Sequence, residues 1–144
     1  MDESEIPNLL RRARTIAVIG MKDETEPDAP AFGVPRKLQS LGYEVIPVNP
    51  NIGSSLGRAS VPDLASLQDV PDIVNVFRRP EALPGIADEI LALPTDRRPA
   101  AVWFQTGIAH APTSARLRAA GMLVIEDACI GVHASRVGGP SDHR

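Results

Sequence analysis

Hydrophobic and polar positions divide the chain into five short apolar runs joined by longer amphipathic stretches. The runs are TIAVIG (Thr15 to Gly20), YEVIPVN (Tyr43 to Asn49), DIVNVF (Asp72 to Phe77), AAVWF (Ala100 to Phe104) and MLVIE (Met122 to Glu126). Each is short and rich in β-branched residues, which predicts strand rather than helix. Their apolar character is nearly continuous rather than alternating, the pattern of parallel strands covered on both faces.

The intervening stretches have helical spacing. Leu83, Ile86, Ala87, Ile90 and Leu91 fall on one face of a helix. Val34, Leu38 and Leu41 do the same, with Pro35 near the expected start and Gly42 just past the end. PTSARLRAAG repeats the arrangement between Pro112 and Gly121, VPDLASLQ predicts a shorter helix, and Ser4 to Arg14 a leading one. Strand and helix thus alternate five times. With right-handed crossovers this predicts an α/β fold, a doubly wound five-stranded parallel sheet in three layers. One domain is expected over residues 1–137, with 138–144 as a flexible C-terminal tail.

Composition narrows the function classes. Of 144 residues 43% are apolar but only 3% aromatic, so the core must be aliphatic. The net charge of −3 argues against nucleic acid as a partner. A single cysteine, Cys129, rules out an internal disulfide and a cysteine-based zinc site, and no metal site is expected. No apolar run approaches a membrane span, and the N-terminus is unlike a secretory signal, so the expected location is cytoplasmic.

In doubly wound sheets ligands bind beyond the carboxyl ends of the strands, where the strand order reverses. The first strand end, at Gly20, has neither the three-glycine dinucleotide loop nor a phosphate-binding P-loop. It makes a long excursion and is expected to enter a helix near Gly33, with Arg36 and Lys37 in its first turn. Amides there suit an anion, although a solvated loop with surface charges also accounts for them. The second end, Asn49-Pro50-Asn51, lacks the carboxylate that holds an NAD ribose; Asn and Pro also simply end strands in turns. The third end carries Arg78 and Arg79. The fourth offers the Gln105 amide and the close backbone approach that Gly107 allows. At the fifth, Cys129 is either a nucleophile or a small buried hydrophobe, and His133 stands one helical turn on.

Taken together, TIAVIG, YEVIPVNPN, DIVNVFRRPE, VWFQTGI and AGMLVIEDACI resemble the stand-alone CoA-binding domain family. That family is similar to the N-terminal domain of the succinyl-CoA synthetase alpha subunit. The resemblance spans about Ile6 to Arg136 and implies a Rossmann-like fold that binds CoA or an acyl-CoA. It implies binding residues Gly20, Met21, Lys22, Gly33, Val34, Arg36, Val48, Asn49, Pro50, Phe77, Arg78, Gln105, Gly107 and Ile108, and no catalytic residue. The chain departs from the family in Met21-Lys22 after the first glycine and in neutral Asn51, where relatives are often basic. Lys22 or Arg58 would then have to meet the 3′-phosphate. The expected role is a non-catalytic module or sensor, acting as a homodimer or beside an acyl-CoA enzyme. Two alternatives stay open: an enzyme that uses CoA thioesters through Cys129 or His110, and an NAD(P)-binding protein.

Overall fold

A computed structural model describes residues 4–141. The five expected strands form one sheet: β1 (Thr15–Ile19), β2 (Glu44–Val48), β5 (Ile73–Val76), β6 (Ala101–Phe104) and β7 (Leu123–Ile125). A two-stranded hairpin, β3 (Ser54–Ser55) with β4 (Arg58–Ala59), lies between β2 and β5 in sequence. The large sheet has the order β2-β1-β5-β6-β7, and every neighbouring pair is parallel. This is a Rossmann-like doubly wound sheet of the 2-1-3-4-5 type, whose strand order reverses between β1 and β5.

The apolar runs are continuous because the sheet is buried twice. Alternate residues, among them Ala17, Ile19, Val74, Val76, Val102 and Phe104, pack with Leu83, Ile86 and Ile90 of α3 (Leu83–Ala92) and Leu117 of α4 (Ala111–Ala119). The others, including Ile16, Val18, Ile73, Trp103 and Ile125, pack with Leu9 and Leu10 of α1 (Glu5–Arg12), Leu38 of α2 (Pro30–Ser40) and Ile130 of α5 (Ile130–Val137). Each strand therefore feeds two aliphatic cores in a three-layer sandwich.

Pro47 lies within β2, where a proline in a central strand would break the ladder. β2 is at the sheet's edge, and the Pro47 carbonyl points outward to accept from the Val61 N–H at 3.1 Å. A residue's N–H and C=O point the same way in a strand, so the donor that proline lacks is on the outer side, away from β1.

Two local expectations are corrected. α2 starts at Pro30 rather than near Gly33, because Ala31 and Phe32 bury themselves as its first turn. Pro35 is consequently inside the helix, and Arg36 and Lys37 are in its second turn, where they do not face the dipole's positive end. The VPDLASLQ stretch forms only a 3₁₀ turn at Leu64–Ser66, started by Asp63, whose side chain accepts from the Ser66 N–H. Of the segment expected as a tail, Gly138 to Ser141 is seated on the domain. The Gly139 N–H bonds the Ala134 carbonyl, and the Ser141 N–H bonds the Arg11 carbonyl at 2.6 Å. Residues 142–144 lie outside the described residues.

The start of β2 is held by Tyr43, whose buried hydroxyl donates to the Leu10 carbonyl at 2.6 Å. Burial raises the Tyr43 pKa to about 12. The neutral phenol is the form the fold accepts, so this stabilisation is complete below pH ~10, the unfolded value, and is lost as pH rises toward 12. Urea titrations should show stability falling by about 2–3 kcal/mol across that window, and Tyr43→Phe should remove this component of the alkaline loss. An unchanged alkaline limb in the variant would show that other groups govern it.

Candidate functional site

The site forms where the strand order reverses. The loop after β1 leads to α2 on one face, and the loop after β5 leads to α3 on the other, so a crevice opens between them. Gly20 ends β1 with φ +81°, and a Cβ there would lie 2.3 Å from the Phe77 carbonyl oxygen. No L side chain fits that backbone and that contact. The Gly20 N–H bonds the Val48 carbonyl at 3.1 Å, and the Phe77 N–H bonds the Ile19 carbonyl at 2.9 Å. The ends of β2, β1 and β5 are thus joined at the crevice floor.

Over this floor is a polar cavity of about 640 Å³ bordered by Gly20, Lys22, Asn49, Asn51, Phe77, Arg78, Arg79 and Glu81. Three cationic side chains face one carboxylate there. Pro80–Ala82 form a 3₁₀ turn that runs directly into α3, with the Ala82 and Leu83 N–H groups bonded to the Arg79 and Pro80 carbonyls. Lys22 is half exposed and 3.7 Å from Glu26.

A second cavity of about 700 Å³ shares Lys22, Phe77, Arg78 and Arg79 with the first and is predominantly apolar beyond them. Ala31 and Val34 of α2, Pro80, Ile108 and Cys129 form its apolar wall. Gln105, 5% exposed, provides a polar point on that wall. Its Oε1 accepts from the Ile130 N–H at 2.9 Å and from Asn75 Nδ2 at 3.3 Å. Nε2 has no partner among the described residues, so Gln105 offers the cavity a fixed N–H donor.

Several residues expected as ligand contacts also hold loops together. Buried Asn49 donates through Nδ2 to the Met21 carbonyl at 2.9 Å and accepts through Oδ1 from the Asn51 N–H at 2.9 Å. It closes a turn and ties the β2 loop to the β1 loop. The Met21 side chain and Val48 are core residues. The Gly107 N–H is taken by Asp127 Oδ1 at 2.6 Å, and Asp127 adopts φ +52° to reach it. Gly33 leaves open space where a Cβ would be. Exposed Arg36 is outside both cavities, its guanidinium 5.8 Å from the centre of the Phe32 ring. Pro50 borders a smaller hollow of about 270 Å³ with Pro62 and Ile86. Arg58 pairs with Glu44 at the opposite end of β2 and does not border the polar cavity. Arg79 and Asn51, noted at their strand ends in the sequence but not among the binding residues the resemblance implies, also border the polar cavity, and Ala31, not singled out there, borders the apolar one.

The acid–base candidates are dispersed. His110 is the N-cap of α4, its Nδ1 accepting from the Thr113 N–H at 3.3 Å. His133 packs edge-on against Trp103, with ring centroids 5.5 Å apart. Burial, then the nearby Arg136 charge, lowers its pKa. Glu126 is 3.6 Å from Arg118. No hydrogen bond from a histidine or carboxylate side chain reaches the Cys129 thiol among the described residues.

Fold and site define a doubly wound α/β protein with an anion-compatible crevice at its switch point. Comparison with protein families matches residues 14–135 to the CoA binding domain. The chain belongs to that family. It is 42% identical over 130 residues to the uncharacterized protein YneT of Bacillus subtilis (strain 168), covering 90% of this chain and 92% of that protein. A Thermus thermophilus protein designated cell-free ID.343 superposes with a TM-score of 0.86 at 38% identity, over 95% of this chain and 99% of that one. An acetyl-coenzyme A synthetase of Ca. Korarchaeum cryptofilum shares the fold over 80% of this chain but 26% of its own, with a TM-score of 0.64 at 19% identity.

The contact at the crevice floor gives a direct test. Gly20→Ala should cost at least about 2 kcal/mol in urea unfolding, from the left-handed backbone and the contact with the Phe77 carbonyl. A loss below 0.5 kcal/mol would show that β1 and β5 separate without penalty.

Proposed function

We propose that this protein binds CoA or an acyl-CoA at the β1/β5 crevice as a non-catalytic module. The observation that carries the reading is the junction of a cation-lined cavity with an apolar one across a shared wall of Phe77, Arg78 and Arg79. CoA has the same two-part character. Its phosphorylated nucleotide suits Lys22, Arg78 and Arg79, where charge-assisted hydrogen bonds are strong. Its pantetheine arm suits the apolar wall, and the Gln105 NH₂ is placed to donate to an amide or thioester carbonyl. Family membership supports the same ligand.

The NAD(P) alternative is less well supported. The end of β2 presents Asn49, and its side chain is already engaged on both sides by Met21 and Asn51. No carboxylate stands there for a ribose. The enzyme alternative lacks a base bonded to Cys129, while His110 and His133 are occupied in capping and packing. A sensor working beside an acyl-CoA enzyme fits a site that holds its ligand without an acid–base pair.

Isothermal titration with CoA and acetyl-CoA tests the reading. Saturable heat is expected for both, and no heat at millimolar ligand overturns it. Arg78→Ala and Arg79→Ala should each weaken CoA binding about tenfold, equivalent to about 1.4 kcal/mol. Both side chains are exposed, so folding should be preserved. Affinity for CoA unchanged in both variants would move the phosphates elsewhere.

Asn51 borders the polar cavity without bringing a charge. Asn51→Lys should tighten CoA by up to about fivefold, the scale of an exposed ion pair, and leave dephospho-CoA unaffected. An equal gain for both ligands would place the 3′-phosphate away from the β2 loop.

A further inference from the structure

We propose that Cys129 exchanges with the disulfide of the thiol ligand, so that oxidised ligand is retained covalently; this inference rests on the CoA reading above. Cys129 is the chain's only cysteine, carries a free thiol and is partly exposed. It borders the apolar cavity as the N-cap of α5. A Cβ built on Gly131 would sit 3.7 Å from Cys129 Sγ and 3.4 Å from Val34 Cγ1, so the thiol and Val34 lie about one residue position. Val34 is on the same cavity wall.

A second observation at this place points to a ligand. Gln105 is 95% buried by its 5% exposure, yet its Nε2 has no partner among the described residues. Among the described residues the fully enclosed unpaired side-chain atoms are Asn75 Oδ1 and Ser114 Oγ, whereas Gln105 Nε2 reaches the cavity surface. Its Oε1 is fixed by the N–H of Ile130, the residue directly after Cys129. An oriented amide donor and a thiol therefore adjoin on one wall. A pantetheine arm ends in an amide and, a short methylene link farther, a thiol. Gln105 bonding that amide carbonyl brings the ligand's sulfur toward Cys129.

The step balances without another reactant. The Cys129 thiolate attacks one sulfur of a CoA disulfide. A Cys129–CoA disulfide forms, the original S–S bond breaks, and the second CoA departs as a thiolate that takes up the proton Cys129 released. The protein thiol is oxidised and the departing half is reduced. No second cysteine is present to resolve the adduct, so its release depends on an external thiol.

Intact-mass kinetics on the full chain test the inference, with CoA disulfide compared with pantethine at equal micromolar concentration. Pantethine has the same arm and reacting group but no nucleotide. The adduct should form about 100-fold faster with CoA disulfide, because the anchored nucleotide raises the local concentration of the disulfide. Excess 3′-phosphoadenosine diphosphate should abolish that advantage, Cys129→Ser should give no adduct, and dithiothreitol should release it. Gln105→Leu should reduce the ratio of the two rates, and Gln105→Asn should do so less. Equal rates, or no adduct, while titration shows CoA bound would overturn the exchange and leave the CoA reading standing. Absence of CoA heat together with equal rates would overturn both.

Discussion

The site depends on one close approach, that of Gly20 to the Phe77 carbonyl. Adjacent parallel strands usually end with room for side chains on both. Here the ends of β1 and β5 draw together so tightly that a Cβ would stand 2.3 Å from a carbonyl oxygen. The approach lets the chain leave β1 toward α2 and β5 toward α3 without either loop filling the gap. The hydrogen bonds from the Gly20 N–H to Val48 and from the Phe77 N–H to Ile19 then fix three strand ends in one floor. The crevice is the space left when two loops diverge from a joint that cannot widen or accept a side chain.

Around that joint, polar residues join loop to loop. Asn49 holds the β1 loop through the Met21 carbonyl, and the Ser55 hydroxyl donates to the Lys22 carbonyl at 2.7 Å. Asp127 joins the β6 and β7 loops through Gly107, and Gln105 joins β6 to the start of α5. These bonds satisfy groups that would otherwise be costly to bury. They also reduce the ordering that a ligand must impose on the loops. Among the described residues, what is left for the proposed ligand is the exposed heads of Arg78 and Arg79, the Gln105 NH₂, and Lys22, engaged by an exposed pair with Glu26.

The division of labour explains what was legible in the sequence. Strands and layers were readable because burial on two faces writes itself as continuous apolar runs, from Thr15 through Ile125. The proline in β2 misled no assignment, since an outward-facing N–H position leaves the pattern intact. Helix boundaries were less visible: Pro30 and Pro35 offer equal start signals, and only the burial of Ala31 and Phe32 decides between them. The strand-end motifs pointed to this crevice: Gly20, Lys22, Phe77 and Arg78 border its polar cavity, and Gln105 and Ile108 the adjoining apolar one. They did not separate ligand contacts from loop ties, because Asn49 and Gly107 have the same composition in either role. That distinction lies in partners distant in sequence, such as Met21 for Asn49 and Asp127 for Gly107. Arg58 shows the same limit, since its pairing with Glu44 depends on the hairpin folding back along β2.

Charge presents the remaining apparent conflict, the anion site proposed above in a chain of net charge −3. Acidic residues crowd the loop directly after Lys22, at Asp23, Glu24, Glu26 and Asp28. Much of this charge has local work. Asp23 Oδ1 accepts from the Thr25 N–H at 3.0 Å and from its hydroxyl at 2.5 Å, and these bonds lower its pKa. Glu24 Oε2 accepts from the Leu56 N–H at 3.0 Å, tying the same loop to the hairpin. Glu26 is 3.7 Å from Lys22, with both side chains about half exposed. Exposed pairs of this kind contribute at most about 1 kcal/mol. A phosphate that takes over Lys22 therefore loses little to Glu26, while the acidic loop remains anchored by bonds that do not involve the site. Net charge is thus a poor guide to the proposed ligand here, because Asp23 and Glu24, beside Lys22, are engaged in building the loop.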